Sequence, residues 1–356
     1  MGPFRIGFVG TGPDPDDPGP GGYAMAYRHA DAYQSIDGCE LVACADIVPE
    51  HGDAFADVNG IPEAGIYTDH ETMLAEADLD VVSVCTPPDV HEPIVVDCAG
   101  ADLAAVHCEK PMADTWGAAK RMAAACRDNG VQLTFNHQRR FGNPFREAKT
   151  LLDEGEIGEL EQVQFGAGNL YDYGSHSFDL CGYFVDEAAP EWILAGLDYR
   201  TEEVYFGMHN ANQAIAHWQY ESGVQGMAAT GRGSSLVGAH HRLVGSDGVI
   251  EIGVDDGPSL RINRDSDAGW SVLDTDGEGV HGSIFIERAL REVLRSVERG
   301  EPSTLRAENA LRATELIFGA WESVRSRRRI DLPLEIEDNP LVSMIETGDL
   351  DPAPAE

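Results

Sequence analysis

The chain has 356 residues, enough for two domains with their own hydrophobic cores. It carries 62 acidic against 25 basic residues, a formal net charge of −37. Such a field repels nucleic acid and anionic membrane surfaces, which excludes both as partners.

The acidic residues are spread along the chain, and Lys occurs only at 110, 120 and 149. This pattern predicts a halophilic protein, adapted to concentrated salt, where screening relieves self-repulsion. Cys39, Cys44, Cys85, Cys98, Cys108, Cys126 and Cys181 form no Cys-x-x-Cys pair and mostly lie in apolar runs. They predict reduced core residues of a cytoplasmic protein, with neither a disulfide framework nor a metal site. The first residues lack the basic and apolar stretches of a signal peptide, and no apolar run is long enough to span a bilayer.

In chain order, residues 5–10 form a short apolar strand, followed at once by Gly10-Thr11-Gly12. Residues 13–22, rich in Pro, Asp and Gly, must be loop. Residues 23–36 have helical spacing, and 40–46 form a second strand that ends in Asp46. Residues 49–58 form a helix with Pro49 in its first turn. A short strand at 66–67 leads to a helix at 69–77, capped by Asp69. Residues 80–85 make a buried-type strand closed by Thr86-Pro87-Pro88, and 90–99 are helical. The strand at 103–108 runs into Glu109-Lys110-Pro111. A helix at 114–129 and a strand at 131–136 complete the pattern. Strands alternating with helices indicate parallel βαβ units, so residues 1–136 are expected to be an α/β, doubly wound Rossmann domain.

After residue 136 the pattern changes. Helices are expected near 144–154 and 177–184. Strand-like runs lie at 161–166, 192–197, 213–220, 223–230, 241–244, 249–252 and 259–262. This predicts a second, α+β domain over 137–337, built on a large and mostly antiparallel sheet. A face of that sheet would suit a homo-oligomer. Two amphipathic helices, 283–299 and 307–325, are split by Gly300-Glu301-Pro302. The basic run 325–329 reads as cations at a helix C-terminus. Residues 338–356 read as an acidic tail, poorly ordered at its end.

A strand, a Gly-x-Gly turn and a helix make the phosphate-binding turn of a dinucleotide fold. Gly10 permits the tight turn and Gly12 lets the backbone approach a pyrophosphate. The third small residue is Ala26, about eleven residues later than the usual spacing. Residues 13–22 are therefore an insert. Asp14, Asp16 and Asp17 would repel a pyrophosphate, so the insert should arch away as a solvated loop, with Gly21-Gly22 near the helix. The alternative is a flap over cofactor or substrate, or an oligomer contact. Asp46 can accept from both ribose hydroxyls and would repel a 2′-phosphate, while Ile47 and Val48 offer no Arg; this favours NAD over NADP. The other reading of Asp46 is a helix N-cap ahead of Pro49.

Lys110, held between Glu109 and Pro111 at a strand exit, has two readings from position alone. One is an exposed charge pair in a loop, the other a catalytic ammonium. Asp172 and His176 are four apart, and His176 and Asp179 three apart. On a helix starting near Gly174, His176 and Asp179 would share a face, and the acid would fix the tautomer of a general base. Taken alone, the pattern reads rather as a helix-capping Asp beside a structural His.

Together these residues resemble the Gfo/Idh/MocA oxidoreductases, the glucose–fructose oxidoreductase and inositol dehydrogenase type, over nearly the whole chain. The resemblance rests on Gly10-Thr11-Gly12, His29, Asp46, Thr86-Pro87-Pro88 with His91, and Glu109-Lys110-Pro111, which matches the family's E-K-P motif. It continues through Asn143-Pro144-Phe145-Arg146 and Gly155-Glu156-Ile157-Gly158. Asp172-x-Gly174-x-His176-x-x-Asp179 matches D-x-G-x-H-x-x-D, and Ile330-Asp331-Leu332-Pro333-Leu334 matches the ending. Only the insert departs. The resemblance implies hydride transfer between NAD and a secondary alcohol of a sugar, sugar acid or cyclitol. It implies a cofactor site of Gly10, Thr11, Gly12, Ala26, Asp46 and Ile47, with Thr86, Pro87 and His91 on the nicotinamide side and Glu109 supporting Lys110. Lys110 would stabilise the developing oxyanion, His176 would take the hydroxyl proton, and Asp172 would orient the substrate. His137, Arg139 and Arg140 would reach the substrate or form domain-junction ion pairs. Two other readings stay open. One is an NAD-retaining enzyme that uses transient oxidation for elimination, epimerisation or glycoside cleavage. The other is a catalytically silent NAD-binding regulator.

Overall fold

The structure is a computed structural model that describes residues 2–13, 15 and 24–355. The expectations for Asp14, Asp16, Asp17 and Gly21-Gly22 lie outside the described residues. The chain forms two compact units. The first is Met1–Asp114, Ala118–Asn136 and Ile286–Ala310, and the second is Thr115–Gly117, His137–Phe285 and Leu311–Glu356.

The first unit opens with β1 (Phe4–Val9), α1 (Met25–Gln34), β2 (Cys39–Ala45), α2 (Pro49–Asn59), β3 (Ile66–Tyr67) and α3 (His70–Glu76). It continues with β4 (Val81–Val84), α4 (His91–Ala99), β5 (Ala105–Cys108), α5 (Trp116–Asn129, its first two residues in the second unit) and β6 (Gln132–Phe135). The six strands are parallel, in the order β3-β2-β1-β4-β5-β6. β4 and β5 are buried along their whole length, as strands covered on both faces require. Local signals set the helix ends. The Asp69 side chain accepts from Thr72 N–H at the start of α3, and α2 begins with Pro49 and stops at Gly60, whose φ is +73°. The strand order reverses between β1 and β4, so the turns after these two strands flank the crevice where such sheets bind nucleotides.

The second unit runs through α6 (Asn143–Asp153), β7 (Leu160–Ala167), α7 (Asp172–Phe184), β8 (Pro190–Asp198), β9 (Val204–Tyr205) and β10 (Met208–His209). Then come β11 (Gln213–Tyr220), β12 (Gln225–Gly231), β13 (Ala239–Gly245), β14 (Gly248–Val254), β15 (Leu260–Arg264) and β16 (Ser271–Val272). The last elements are α8 (Ile284–Arg299), α9 (Ala307–Ser326), β17 (Ile330–Asp331) and α10 (Pro340–Glu346). Nine strands form one sheet in the order β16-β15-β14-β13-β7-β12-β11-β8-β17. All neighbours are antiparallel except β7 and β12. β11 shows the alternation of a half-covered sheet. Ala214, Ala216, Trp218 and Tyr220 are buried, and Ile215 and His217 are exposed. Trp218 packs on Phe178 of α7 and Phe165 of β7, with ring centroids 5.0 and 6.1 Å away.

Three expectations are corrected. The span 137–337 is not one body, because Ile286–Ala310 belongs to the first unit. Ile286, Leu290 and Leu294 of α8 are buried in the first unit's core with Phe8, Tyr33 and Ile36. Periodicity shows that α8 has an apolar face, not which core receives it. α7 begins at Asp172, ahead of the expected start, so Asp172 and His176 lie one turn apart on one helix. Residues 338–356 are not simply a loose tail. Asn339 caps α10 by accepting from the N–H groups of Leu341 and Val342, and Leu341 and Met344 are buried. Near the end, Ala353 N–H donates to the Arg200 carbonyl at 2.8 Å and its own carbonyl accepts from Glu202 N–H at 2.7 Å. In the basic run, Arg325 pairs with Glu322 and Asp338, and Arg329 with Asp331. Among the described residues, no helix is long and apolar enough to cross a membrane.

Candidate active site

The glycine turn follows β1. Gly10 and Gly12 have φ of +80° and +66°, which side chains rarely adopt. A Cβ at Gly10 would lie 2.5 Å from Thr86 Cγ2, so only Gly lets the turns after β1 and β4 close together. Asp46, at the exit of β2, faces this turn. Its Oδ2 accepts from Thr11 N–H at 2.8 Å, Thr11 Oγ1 at 3.0 Å and Gly12 N–H at 3.0 Å. Oδ1 accepts from Val48 N–H at 2.9 Å. Val48 is the cap position of α2 and no side chain caps it, so the N-cap reading of Asp46 falls. Ala26 is buried in the core behind the turn, and Ile47 is largely exposed.

Thr86 is half-buried and Pro87 exposed, but His91 is fully buried. Its Nε2 lies 2.8 Å from the Thr86 carbonyl and its Nδ1 3.1 Å from the Met112 carbonyl. His91 therefore clamps the turn after β4 to the segment after β5 rather than lining a surface. Burial lowers its pKa, against the pull of the two carbonyls.

Glu109 leaves β5 buried. Oε1 takes His29 Nε2 at 2.9 Å and the Asn136 amide at 2.6 Å, and Oε2 accepts from Lys110 N–H at 3.1 Å. Burial alone would raise the Glu109 pKa, but His29, Lys110 and Asn136 outweigh it and bring it down to about 2. His29 is buried too, which pushes its pKa down. The Cys85 sulfur, 3.6 Å from Nδ1, and the Glu109 carboxylate push it up further, to about 10. A carboxylate fixed in this way pins the backbone from which Lys110, half-buried, projects. The Lys110–Pro111 bond is cis.

The remaining candidates lie in the second unit. Asp172 and His176 are buried on the first two turns of α7, and Tyr171, not Asp172, holds the cap position. The expected partnership of His176 with Asp179 gives way. Arg140 takes Asp179 with a two-pronged grip, Nε to Oδ2 at 2.6 Å and Nη2 to Oδ1 at 2.7 Å, and His137 Nδ1 lies 3.2 Å from Oδ1. Burial would raise the Asp179 pKa, but Arg140 and His137 lower it to about 2. The His176 ring instead packs edge-on against His137, with centroids 5.6 Å apart. Arg140 also pairs with Glu187, so it is a structural ion-pair residue inside the second unit. Arg139 Nη1 donates to His240 Nε2 at 2.6 Å.

Residues 18–137 match the family described as oxidoreductase family, NAD-binding Rossmann fold (GFO_IDH_MocA). A myo-inositol 2-dehydrogenase from Thermotoga maritima is 25% identical over 355 residues, spanning 92% of this chain and 98% of its own. A D-apiose dehydrogenase from Paraburkholderia graminis is 27% identical over 353 residues, 90% of each chain. Over residues 18–137 the chain is thus similar to the Gfo/Idh/MocA oxidoreductases, and it resembles both relatives along nearly its whole length. An inositol dehydrogenase homologue from Azotobacter vinelandii, solved with NADH and myo-inositol, shares the fold at a TM-score of 0.75, with 19% identity over 93% of this chain and 98% of that one.

The match is to an oxidoreductase family with an NAD-binding Rossmann fold, and both relatives are named as dehydrogenases. This chain's own residues fit NAD. Gly10 and Gly12 bring no Cβ to the turn, and Asp46 is an acceptor-only group beside it, with no Arg or Lys paired to it among the described residues. Sequence reading passed over Asn136, Ser83, whose hydroxyl lies 3.1 Å from His29 Nδ1, and the pair His240-His241. Asn136 carried a usable signal, as a polar residue ending an apolar strand. The two histidines carried none, since their role depends on partners far along the chain.

Proposed function

We propose that this protein oxidises a secondary alcohol of a sugar, sugar acid or cyclitol, with Lys110, His176 and Asp172 as the catalytic residues. The supporting observation is Glu109. It is buried, anionic and gripped by His29 and Asn136, and it presents Lys110 at the exit of the fifth strand of a dinucleotide-binding sheet. Lys110 donates to the reacting oxygen and stabilises its growing negative charge. His176 accepts the hydroxyl proton, and Asp172 accepts from a neighbouring hydroxyl and so orients the substrate. Bound NAD supplies the hydride acceptor.

Lys110→Ala tests the reading. It should abolish turnover and leave NADH binding, followed by fluorescence, largely intact. Full activity in that variant would sink the assignment. The substrate is sought by following nicotinamide reduction with NAD and NADP across aldoses, sugar acids and inositols.

We also infer a halophilic, oligomeric, cytoplasmic enzyme. The net charge of −37 supports the first, and exposed Leu194 and Ile215 on neighbouring strands of the large sheet support a second copy there. The cysteines, all free among the described residues, suit a reducing compartment. Light scattering in molar salt, set against a Leu194→Glu variant, checks the oligomer.

A further inference from the structure

Arg139 and Arg140 are neighbours in one short turn and are both buried, yet they are treated in opposite ways. Arg140 has two carboxylates. Arg139, 5% exposed, pairs with no carboxylate among the described residues. Its contacts are the His240 nitrogen and the Tyr173 ring, 6.0 Å from Cζ. Burial lowers its pKa to about 10, and Tyr173 and Asp172 only partly oppose this. A guanidinium stripped of water, with Asp172 near enough to act on its charge but no carboxylate hydrogen-bonded to it among the described residues, is unfavourable unless something else supplies a paired anion.

The histidines around it cannot supply one, and the hydrogen-bond directions show why. His241 Nε2 lies 3.1 Å from the Ser177 carbonyl, which only accepts, so Nε2 carries the proton. The lone pair on His241 Nδ1 then accepts from His240 Nδ1–H at 2.7 Å. That leaves a lone pair on His240 Nε2, which accepts from Arg139 Nη1–H. All donors point one way. Both rings are neutral, and burial pushes the His241 pKa down to about 3 and that of His240 well below its usual value. The relay fixes one corner of the guanidinium and leaves it without a hydrogen-bonded carboxylate among the described residues. Four of its five N–H donors have no bond to a described residue.

We propose that Arg139, oriented by His240 and His241, binds a carboxylate of the substrate, so that this enzyme acts on sugar acids rather than on neutral sugars or cyclitols. The planar fork matches two carboxylate oxygens, and one negative charge balances one guanidinium. Hydroxyl groups could satisfy the donors but not the charge. This inference rests on the dehydrogenase reading above and narrows its substrate.

Calorimetric titration of the NADH-loaded protein tests it without turnover. D-gluconate, D-glucuronate and D-galacturonate are compared with D-glucitol, D-glucose and D-galactose. At least one acid should bind on the order of 100-fold tighter than its neutral counterpart. In Arg139→Gln that ratio should collapse towards one, and in Arg139→Lys, which keeps the charge but not the fork, it should fall part-way. Neutral sugars bound as well as or better than the acids, no acid bound at all, or an unchanged ratio in a folded Arg139→Gln protein each overturn the proposal. Acid binding without any NAD reduction would instead overturn the dehydrogenase reading and leave the carboxylate site standing.

Discussion

The Glu109 carboxylate and the His29 imidazole lie 2.9 Å apart, buried, and 80 positions apart in sequence. Removing the ring leaves a buried anion with too few partners. His29→Ala is expected to destabilise the protein by about 3–5 kcal/mol, read from urea unfolding. pH dependence follows from the same pair. The Glu109 pKa falls from an ordinary 4.5 to about 2, so its contribution is present above 4.5 and is lost as pH drops towards 2. The His29 pKa rises from 6.5 to about 10, so its contribution is present below 6.5 and is lost as pH climbs towards 10. Thermal stability should therefore fall on the alkaline limb, and His29→Gln should flatten that limb.

Arg140 is a structural residue although it lies next to the substrate-binding candidate Arg139. Arg140→Ala would strand Asp179, which is buried, with His137 as its main support. A loss of about 3–5 kcal/mol is expected in thermal unfolding. Arg140→Lys should recover only part of it, because an ammonium cannot make the two-pronged contact.

Gly10→Ala probes the nucleotide turn. The new methyl would press on Thr86 in a backbone conformation with φ of +80°. The strain is about 1–3 kcal/mol, and NADH affinity by fluorescence titration should drop roughly tenfold or more. Unchanged affinity would show that the turn does not hold the dinucleotide.

Self-repulsion at −37 should make stability strongly salt-dependent. The melting temperature is expected to rise steadily from 0.1 to about 2 M KCl, beyond the range over which simple screening saturates in ordinary proteins. A flat profile by circular dichroism would remove the halophile reading.

Much of this architecture was legible in the chain itself. Alternating apolar runs and helical spacing specified the Rossmann unit, because strand and helix periods are local properties of ten or so residues. Gly10, Gly12, Asp46, Glu109 and Lys110 stood out because backbone freedom, charge and strand exits also leave short-range marks. Only the tertiary structure decided partners. Asp179 and His176 are three apart on α7, yet Asp179 goes to Arg140, 39 positions away. Ile286, Leu290 and Leu294 were visibly one apolar face, but their core belongs to the first unit. His240 and His241 meant nothing until the Ser177 carbonyl and Arg139 closed on their two ends. Hydrogen-bond direction and charge balance depend on which groups the fold brings within about 3 Å, and no local pattern encodes that approach.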